Sequence, residues 1–84
     1  MIGKDKPEVQ KQRISETVAE VLDDCEAVFD PNSFQHFVRF RIDHKVTGDI
    51  VASPVSEHAS IFADYSDEYL RKFITALAPS HEKN

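Results

Sequence analysis

The alternation of apolar and polar positions is clearest between residues 34 and 55, where it predicts two antiparallel strands. Over residues 34–43 the even-numbered positions are mostly apolar and the odd-numbered positions mostly polar. This period of two is typical of a strand that buries one face. The turn at 46–48 ends in Gly48, which favours a three-residue loop closed by a left-handed glycine. We therefore predict a β-hairpin whose second strand covers residues 50–55.

The predicted loop also fixes the register of the hairpin, because it places Ile42 opposite Ala52 and Phe40 opposite Pro54. Proline cannot donate to a sheet ladder, so the second strand lies at an edge or ends at Pro54. Even-numbered positions then form the inner face, which is predicted to contain Phe34, Val38, Phe40, Ile42, Ile50 and Ala52. The outer face mixes arginines with apolar side chains, and its candidate interaction residues are Phe37, Arg39, Arg41, Val51 and Val55.

Helical spacing occurs on both sides of the hairpin. Pro7 suits the first position of a helix, because its missing N–H would have no partner there. An amphipathic stripe follows and predicts a first helix over about residues 8–28. The residues of this stripe are Ile14, Val18, Val21, Leu22 and Cys25. Later in the chain, Ser66 is a favourable N-cap and Pro79 ends a second apolar stripe, so we predict a second helix over about residues 67–78.

These elements predict one α+β domain over residues 1–84. The expected order is α-β-β-(β)-α, with a small antiparallel sheet and two helices on one face of it. The third strand is in parentheses because the segment 56–65 leaves open whether Ile61 and Phe62 form a short strand. The terminal residues 1–6 and 80–84 are expected to be loose tails.

Negative charge is concentrated on the second half of the first predicted helix. Residues 15–30 hold six acids and no base. Acids near a helix C-terminus oppose its macrodipole, and the i, i+4, i+8 spacing of Glu16, Glu20 and Asp24 makes them repel one another. This candidate acidic patch comprises Glu16, Glu20, Asp23 and Asp24. It is either a solvated face or a docking site for a basic partner.

The sequence predicts no catalytic, cofactor-binding or metal-binding residues. Its four histidines have no paired ligand spacing. His36 and His58 would face each other only if the second strand continued past Pro54. Cys25 lies on an apolar stripe, so it is interpreted as a core residue and not as a nucleophile. The two glycines cannot form a glycine-rich phosphate cradle.

The formal net charge of −5 argues against binding to nucleic acid, which is recognised largely through basic residues. No stretch is apolar for long enough to suggest a membrane span. A single cysteine excludes an intramolecular disulfide and fits a reducing compartment, so a cytoplasmic protein is expected.

Together these features predict a small acidic protein that acts through protein–protein contacts and not as an enzyme. A two-layer domain of this size leaves the outer face and at least one edge of its sheet uncovered. The first hypothesis is an interaction or regulatory domain that forms a homodimer through that face or an edge strand. The alternative is a small inhibitor or antitoxin-like protein, which would present the acidic patch to a basic or nucleic-acid-binding target.

Overall fold

The chain has an α+β fold in which helices cover one face of a three-stranded antiparallel sheet, as the sequence predicts. The computed structural model of the chain describes residues 3–32 and 34–83. Its elements are, in order, α1 (Pro7–Val21), β1 (Cys25–Phe29), β2 (Phe37–His44), β3 (Ile50–His58), α2 (Ala59–Asp64), α3 (Asp67–Leu77) and a 3₁₀ turn (Pro79–His81). The strand order in the sheet is β1-β2-β3. None of the helices within the described ranges is long and apolar enough to cross a membrane.

The first helix is shorter than predicted, because it ends at Val21 and not near residue 28. Leu22 is already extended, and Asp24 has a left-handed φ of 51°. Ending the helix here keeps Asp23 and Asp24 off its C-terminal turn, where their charges would oppose the macrodipole. The residues that the shorter helix does not include form β1 (Cys25–Phe29), which pairs with β2. The apolar spacing of this segment fits both a helix and a strand, and pairing with β2 selects the strand.

Ile61 and Phe62 do not form the short strand that the sequence left open, and the third strand of the sheet is β1. Those two residues lie in α2. This short helix begins where the Nδ1 atom of His58 accepts a hydrogen bond from the N–H of Ser60 at 3.1 Å. β3 therefore continues directly into a helical turn, which places Phe62 in the core.

The hairpin prediction is correct at its centre, where Ile42 pairs with Ala52 as expected. Gly48 has the predicted left-handed φ, at 78°. The ladder is irregular on both sides of that pair: Asp43 pairs with Ile50, and Phe40 pairs with Val55 and not with Pro54. Such β-bulges change which face the following residues point to. Uniform alternation along β3 was therefore a wrong prediction.

Two residues predicted for the inner face are exposed. Phe34 precedes β2 and is 82% exposed, because β2 begins only at Phe37, after His36 has adopted a left-handed φ of 71°. Ile50 is 63% exposed, because it pairs with Asp43 on the opposite face from Ile42. The remaining four predicted inner residues, Val38, Phe40, Ile42 and Ala52, are buried.

The last main helix agrees with its prediction. The hydroxyl of Ser66 accepts a hydrogen bond from the N–H of Tyr69 at 3.0 Å, and α3 ends at Leu77. The segment after it differs from the expected loose tail, because the N–H of Lys83 donates to the carbonyl of Val21 at 2.8 Å. At the other end, the N–H of Lys6 donates to the carbonyl of Gly3 at 3.2 Å. The remaining parts of the two predicted tails, residues 1–2 and 84, lie outside the described residues.

The core lies between the sheet and the helices. Phe62 of α2 is at its centre, and its ring lies 6.1 Å from that of Phe40 and 6.2 Å from that of Phe73. Cys25 is buried here as predicted, although it comes from β1 and not from a helix. The buried apolar residues are Ile14, Val18, Leu22, Cys25, Val38, Phe40, Ile42, Ala52, Ala59, Phe62, Leu70, Ile74 and Ala78.

Candidate interaction surface

The helices cover one face of the sheet and leave the opposite face uncovered. Pairing fixes its membership, because residues directly opposite each other in a ladder point to the same face. Val28 pairs with Arg41, and Asp43 pairs with Ile50. The outer sheet face therefore includes Glu26, Val28, Phe37, Arg39, Arg41, Asp43 and Ile50.

The arginines on the outer sheet face are both paired with carboxylates of the same chain. Arg41 donates to the two carboxylate oxygens of Asp43 at 2.9 and 3.2 Å. This hydrogen bond, followed by the attraction of the opposite charge, raises the pKa of Arg41 above its ordinary range. Arg39 lies 3.6 Å from Asp30. Because each arginine has a nearby carboxylate, the positive charges of this face are offset within the chain.

A shallow groove of about 360 Å³ crosses this face between the first two strands. Its lining residues include Val28, Pro31, Arg39, Arg41 and Pro54. Prolines and a β-branched residue give rigid apolar walls that lose little conformational entropy on contact. The geometry suits a complementary protein surface.

The structure keeps three of the five predicted interaction residues together and separates the other two. Phe37, Arg39 and Arg41 lie on the outer sheet face, and Phe37 is 38% exposed with its ring edge against His58. Val55 pairs with Phe40 and so points to the inner face, where it packs against the core. Val51 also packs against the core, beside His44 and His81. Their assignment to the outer face is therefore corrected.

The predicted acidic patch does not form a single ridge. Glu16 and Glu20 lie on α1, whereas Asp23 and Asp24 lie in the turn that follows it. An Oε1 atom of Glu20 accepts a hydrogen bond from Nε of Arg71 at 2.8 Å. Glu16 lines the same groove between α1 and α3 as Arg71 and Arg13. Bases therefore offset the acids on the helix, and only the turn retains two adjacent exposed carboxylates.

The four histidines form two ring pairs. β3 continues through Pro54, so His36 and His58 do come together, with ring centroids 5.9 Å apart. The rings of His44 and His81 lie 5.4 Å apart. Nδ1 of His58 accepts from the N–H of Ser60, so the neutral ring carries its proton on Nε2. Within residues 3–32 and 34–83, no three histidine, cysteine or acidic side chains are grouped as metal ligands.

Cys25 has the chemistry of a buried structural thiol. Burial, followed by the negative charges of Asp24 and Asp23, raises the pKa of its thiol. A thiol with a raised pKa has little of the thiolate form that acts as a nucleophile or metal ligand.

Sequence reasoning missed Val28 and Ile50 as members of the outer sheet face. Val28 falls within the first predicted helix, and a regular ladder places Ile50 in the core. One signal was present, since Pro54 inside a strand indicates an edge strand or a bulge, and a bulge changes the register. No family model, curated protein or solved structure matches the chain.

Proposed function

We propose that this chain is a non-enzymatic protein–protein interaction or regulatory domain that forms a homodimer through its sheet. The single observation that carries the proposal is the sheet itself, which has helices on one face and leaves the other uncovered, with Phe37 and Ile50 exposed on it. The proposal places the domain in the cytoplasm, where its buried, reduced Cys25 is compatible with the redox conditions.

Two properties of the outer sheet face support contact with another protein. Large apolar side chains are exposed there, including Ile50 at 63%. Its arginines are paired with carboxylates of the same chain, as the pair between Arg41 and Asp43 illustrates. Protein interfaces combine apolar contact with satisfied polar groups, and arginine is enriched in them.

The acidic patch has less support as the principal contact. Arg71 binds Glu20, and the end of α1 at Val21 removes Asp24 from the ridge that it was expected to share with Glu16 and Glu20. An inhibitor-like function would therefore depend on the exposed carboxylates of Asp23 and Asp24. The sheet is the better candidate because Phe37 and Ile50 expose apolar surface on it.

The proposal is tested by the mass of the protein in solution. Sedimentation equilibrium from low to high micromolar concentration should give twice the chain mass of 9.6 kDa at the upper end. A monomer over the whole concentration range would contradict self-association.

Glutamate substitutions then locate the contact. Phe37→Glu and Ile50→Glu introduce charge on the outer sheet face, whereas Val46→Glu makes the same kind of change at the hairpin loop, where Val46 is 76% exposed. Dissociation by the first two variants and not by the third assigns the contact to the face. A dimer that persists in all three assigns it to an edge of the sheet.

A further inference from the structure

His44 and His81 bring two imidazole rings together from distant parts of the chain. His44 is the last residue of β2, and His81 is the last residue of the 3₁₀ turn that follows α3. Their ring centres lie 5.4 Å apart, and the ring planes are inclined by 51°. Both side chains are partly buried and line a surface concavity of about 200 Å³. The fold therefore holds two potential nitrogen ligands side by side.

Backbone hydrogen bonds constrain both histidines. The N–H of His44 donates to the carbonyl of Asp49 at 2.8 Å, and the N–H of Gly48 donates to the carbonyl of His44 at 2.9 Å. The carbonyl of His81 accepts from the N–H of Asp23 at 2.8 Å. Ligands on a constrained backbone lose less conformational freedom when an ion binds. Apart from side-chain rotation, the pair is therefore held near its present spacing.

The spacing of these two rings fits a divalent transition-metal ion. A tetrahedral zinc ion bonds to two imidazole nitrogens at about 2.0–2.1 Å each, which puts the ring centres about 5 Å apart. The observed separation of 5.4 Å is close to this value. Because the lone pair of a ring nitrogen lies in the plane of the ring, two inclined rings can direct their lone pairs to one point. His44 and His81 therefore need little rearrangement to share an ion.

The other histidine pair is less suited to an ion. The rings of His36 and His58 lie 5.9 Å apart and are stacked, with 26° between their planes. Their lone pairs therefore lie in nearly parallel planes. Nδ1 of His58 is also engaged by Ser60, whose N–H lies at 3.1 Å and whose hydroxyl lies at 2.8 Å. This pair provides an internal control.

The surroundings of His44 and His81 favour a cation. Asp49 lines the same concavity, and within the ranges that the structure describes it forms no ion pair. Its negative charge attracts cations to the concavity. Among the described residues no third side chain is grouped with the two rings as a metal ligand. Water would therefore occupy the remaining coordination positions.

Metal binding would displace one weak contact of His44. Its Nδ1 atom accepts a hydrogen bond from the N–H of Thr47 at 3.3 Å, which puts the proton of the neutral ring on Nε2. An ion at Nδ1 would replace this bond, and an ion at Nε2 would move the proton to Nδ1. The bond is longer than the usual value of about 2.9–3.0 Å. Thr47 is exposed, so water can satisfy its N–H and the loss costs little.

We propose that His44 and His81 form a two-histidine site for a divalent transition-metal ion. The site goes beyond the proposed homodimer and does not depend on it. Its ion would fasten the C-terminal segment 79–83 to the sheet. That segment already contacts the end of α1, because Lys83 donates from its N–H to the carbonyl of Val21 at 2.8 Å and from Nζ to the carbonyl of Ala19 at 2.7 Å.

Isothermal titration of the tag-free chain with ZnCl₂ at about pH 7.5, where an ordinary imidazole is mostly neutral, tests the site. We expect one ion per chain. His44→Asn and His81→Asn should each weaken binding by about tenfold or more, because one nitrogen ligand is lost. His36→Asn is the matched control and should retain the affinity, since asparagine tolerates the left-handed φ of His36. Mg²⁺ should not bind, because it prefers oxygen ligands.

Several outcomes of the titration would overturn the site. These are no binding of Zn²⁺ by the unmodified chain, unchanged affinity in either His44→Asn or His81→Asn, an equal loss in His36→Asn, and binding of Mg²⁺ with the affinity of Zn²⁺. Sedimentation with and without ZnCl₂ should give the same mass. Zinc binding that occurs only with a doubling of the mass would place the ligands on two copies and would also overturn the intrachain site.

Nuclear magnetic resonance of the unmodified chain provides a second test that needs no variant. Added ZnCl₂ should shift the ring signals of His44 and His81 and leave those of His36 and His58 in place. Shifts confined to the second pair would overturn the assignment.

Hydrogen exchange reports on the C-terminal segment in the same sample. The amide protons of Asp23 and Lys83, which donate to His81 and Val21, should exchange several-fold more slowly with Zn²⁺ bound. Zinc-independent exchange at both amides would contradict fastening of the segment by the ion.

Discussion

Among the residues outside the apolar core, Arg13 is the one whose loss should destabilise the monomer most. Its Nη1 atom donates to Oε1 of Gln10 at 2.8 Å and to the carbonyl of Phe62 at 3.0 Å. Its Nη2 atom donates to the carbonyl of Tyr65 at 2.9 Å and lies 3.0 Å from Asp67. One guanidinium group thus ties α1 to the junction between α2 and α3.

The magnitude follows from what Arg13→Ala leaves without a partner. A hydrogen bond with a charged donor contributes about 1.5–3 kcal/mol, and an unsatisfied buried acceptor carries a penalty of similar size. Asp67 is 79% exposed, so its ion pair adds no more than about 1 kcal/mol. At this half-buried site, water can solvate part of the carbonyl groups of Phe62 and Tyr65 that lose their hydrogen bonds to Arg13. We therefore expect Arg13→Ala to lower the free energy of unfolding by about 2–4 kcal/mol.

Equilibrium urea unfolding at low micromolar protein measures this loss without a contribution from dimerisation. Arg13→Lys keeps the charge but cannot reach several acceptors in the same fork, so its loss should be intermediate. Arg71→Ala is the matched control, because Arg71 makes one exposed pair with Glu20 and should change the free energy of unfolding by less than about 1 kcal/mol. Equal losses for Arg13→Ala and Arg71→Ala would refute the reasoning.

Two further predictions concern the hairpin loop and the buried thiol. Gly48→Ala should lower the free energy of unfolding by about 1 kcal/mol, because the residue has a φ of 78° while open space surrounds the added methyl group; an unchanged thermal midpoint would contradict this. Burial raises the pKa of Cys25, so the unfolded chain loses its thiol proton first, and stability should fall as pH rises from about 8.5 through the folded-state pKa. Cys25→Ala should reduce that decline, and identical pH slopes in the two proteins would count against it.

Local chemistry made several elements predictable. Pro7 begins α1, and Ser66 caps α3 through its hydroxyl, because both effects depend only on a few consecutive residues. The loop glycine fixed the central pair of the hairpin, Ile42 with Ala52. The prediction became wrong beyond that pair, because the irregular ladder around Pro54 has no simple periodic signature.

The candidate site was only partly predictable for the same reason. Arg39 and Arg41 alternate with buried residues of a regular strand, so their outward direction followed from the sequence. The position of Val55 depended on the bulge that pairs it with Phe40. Val28 required knowing that its segment is a strand, and β1 became a strand only by pairing with β2.

The sequence by itself determined the α+β class, the hairpin, the cap of α3 and the burial of Cys25, because periodicity, turn residues and hydrophobicity act over short distances along the chain. The tertiary structure decided the end of α1 at Val21 and the formation of β1. Apolar residues at 25, 28 and 29 continue the stripe of a helix, whereas those at 25, 27 and 29 alternate as in a strand, so the pattern of this segment cannot choose between the two. Pairing with the side of β2 that β3 leaves open selected the strand, because it satisfies the backbone N–H and C=O groups of β2 there.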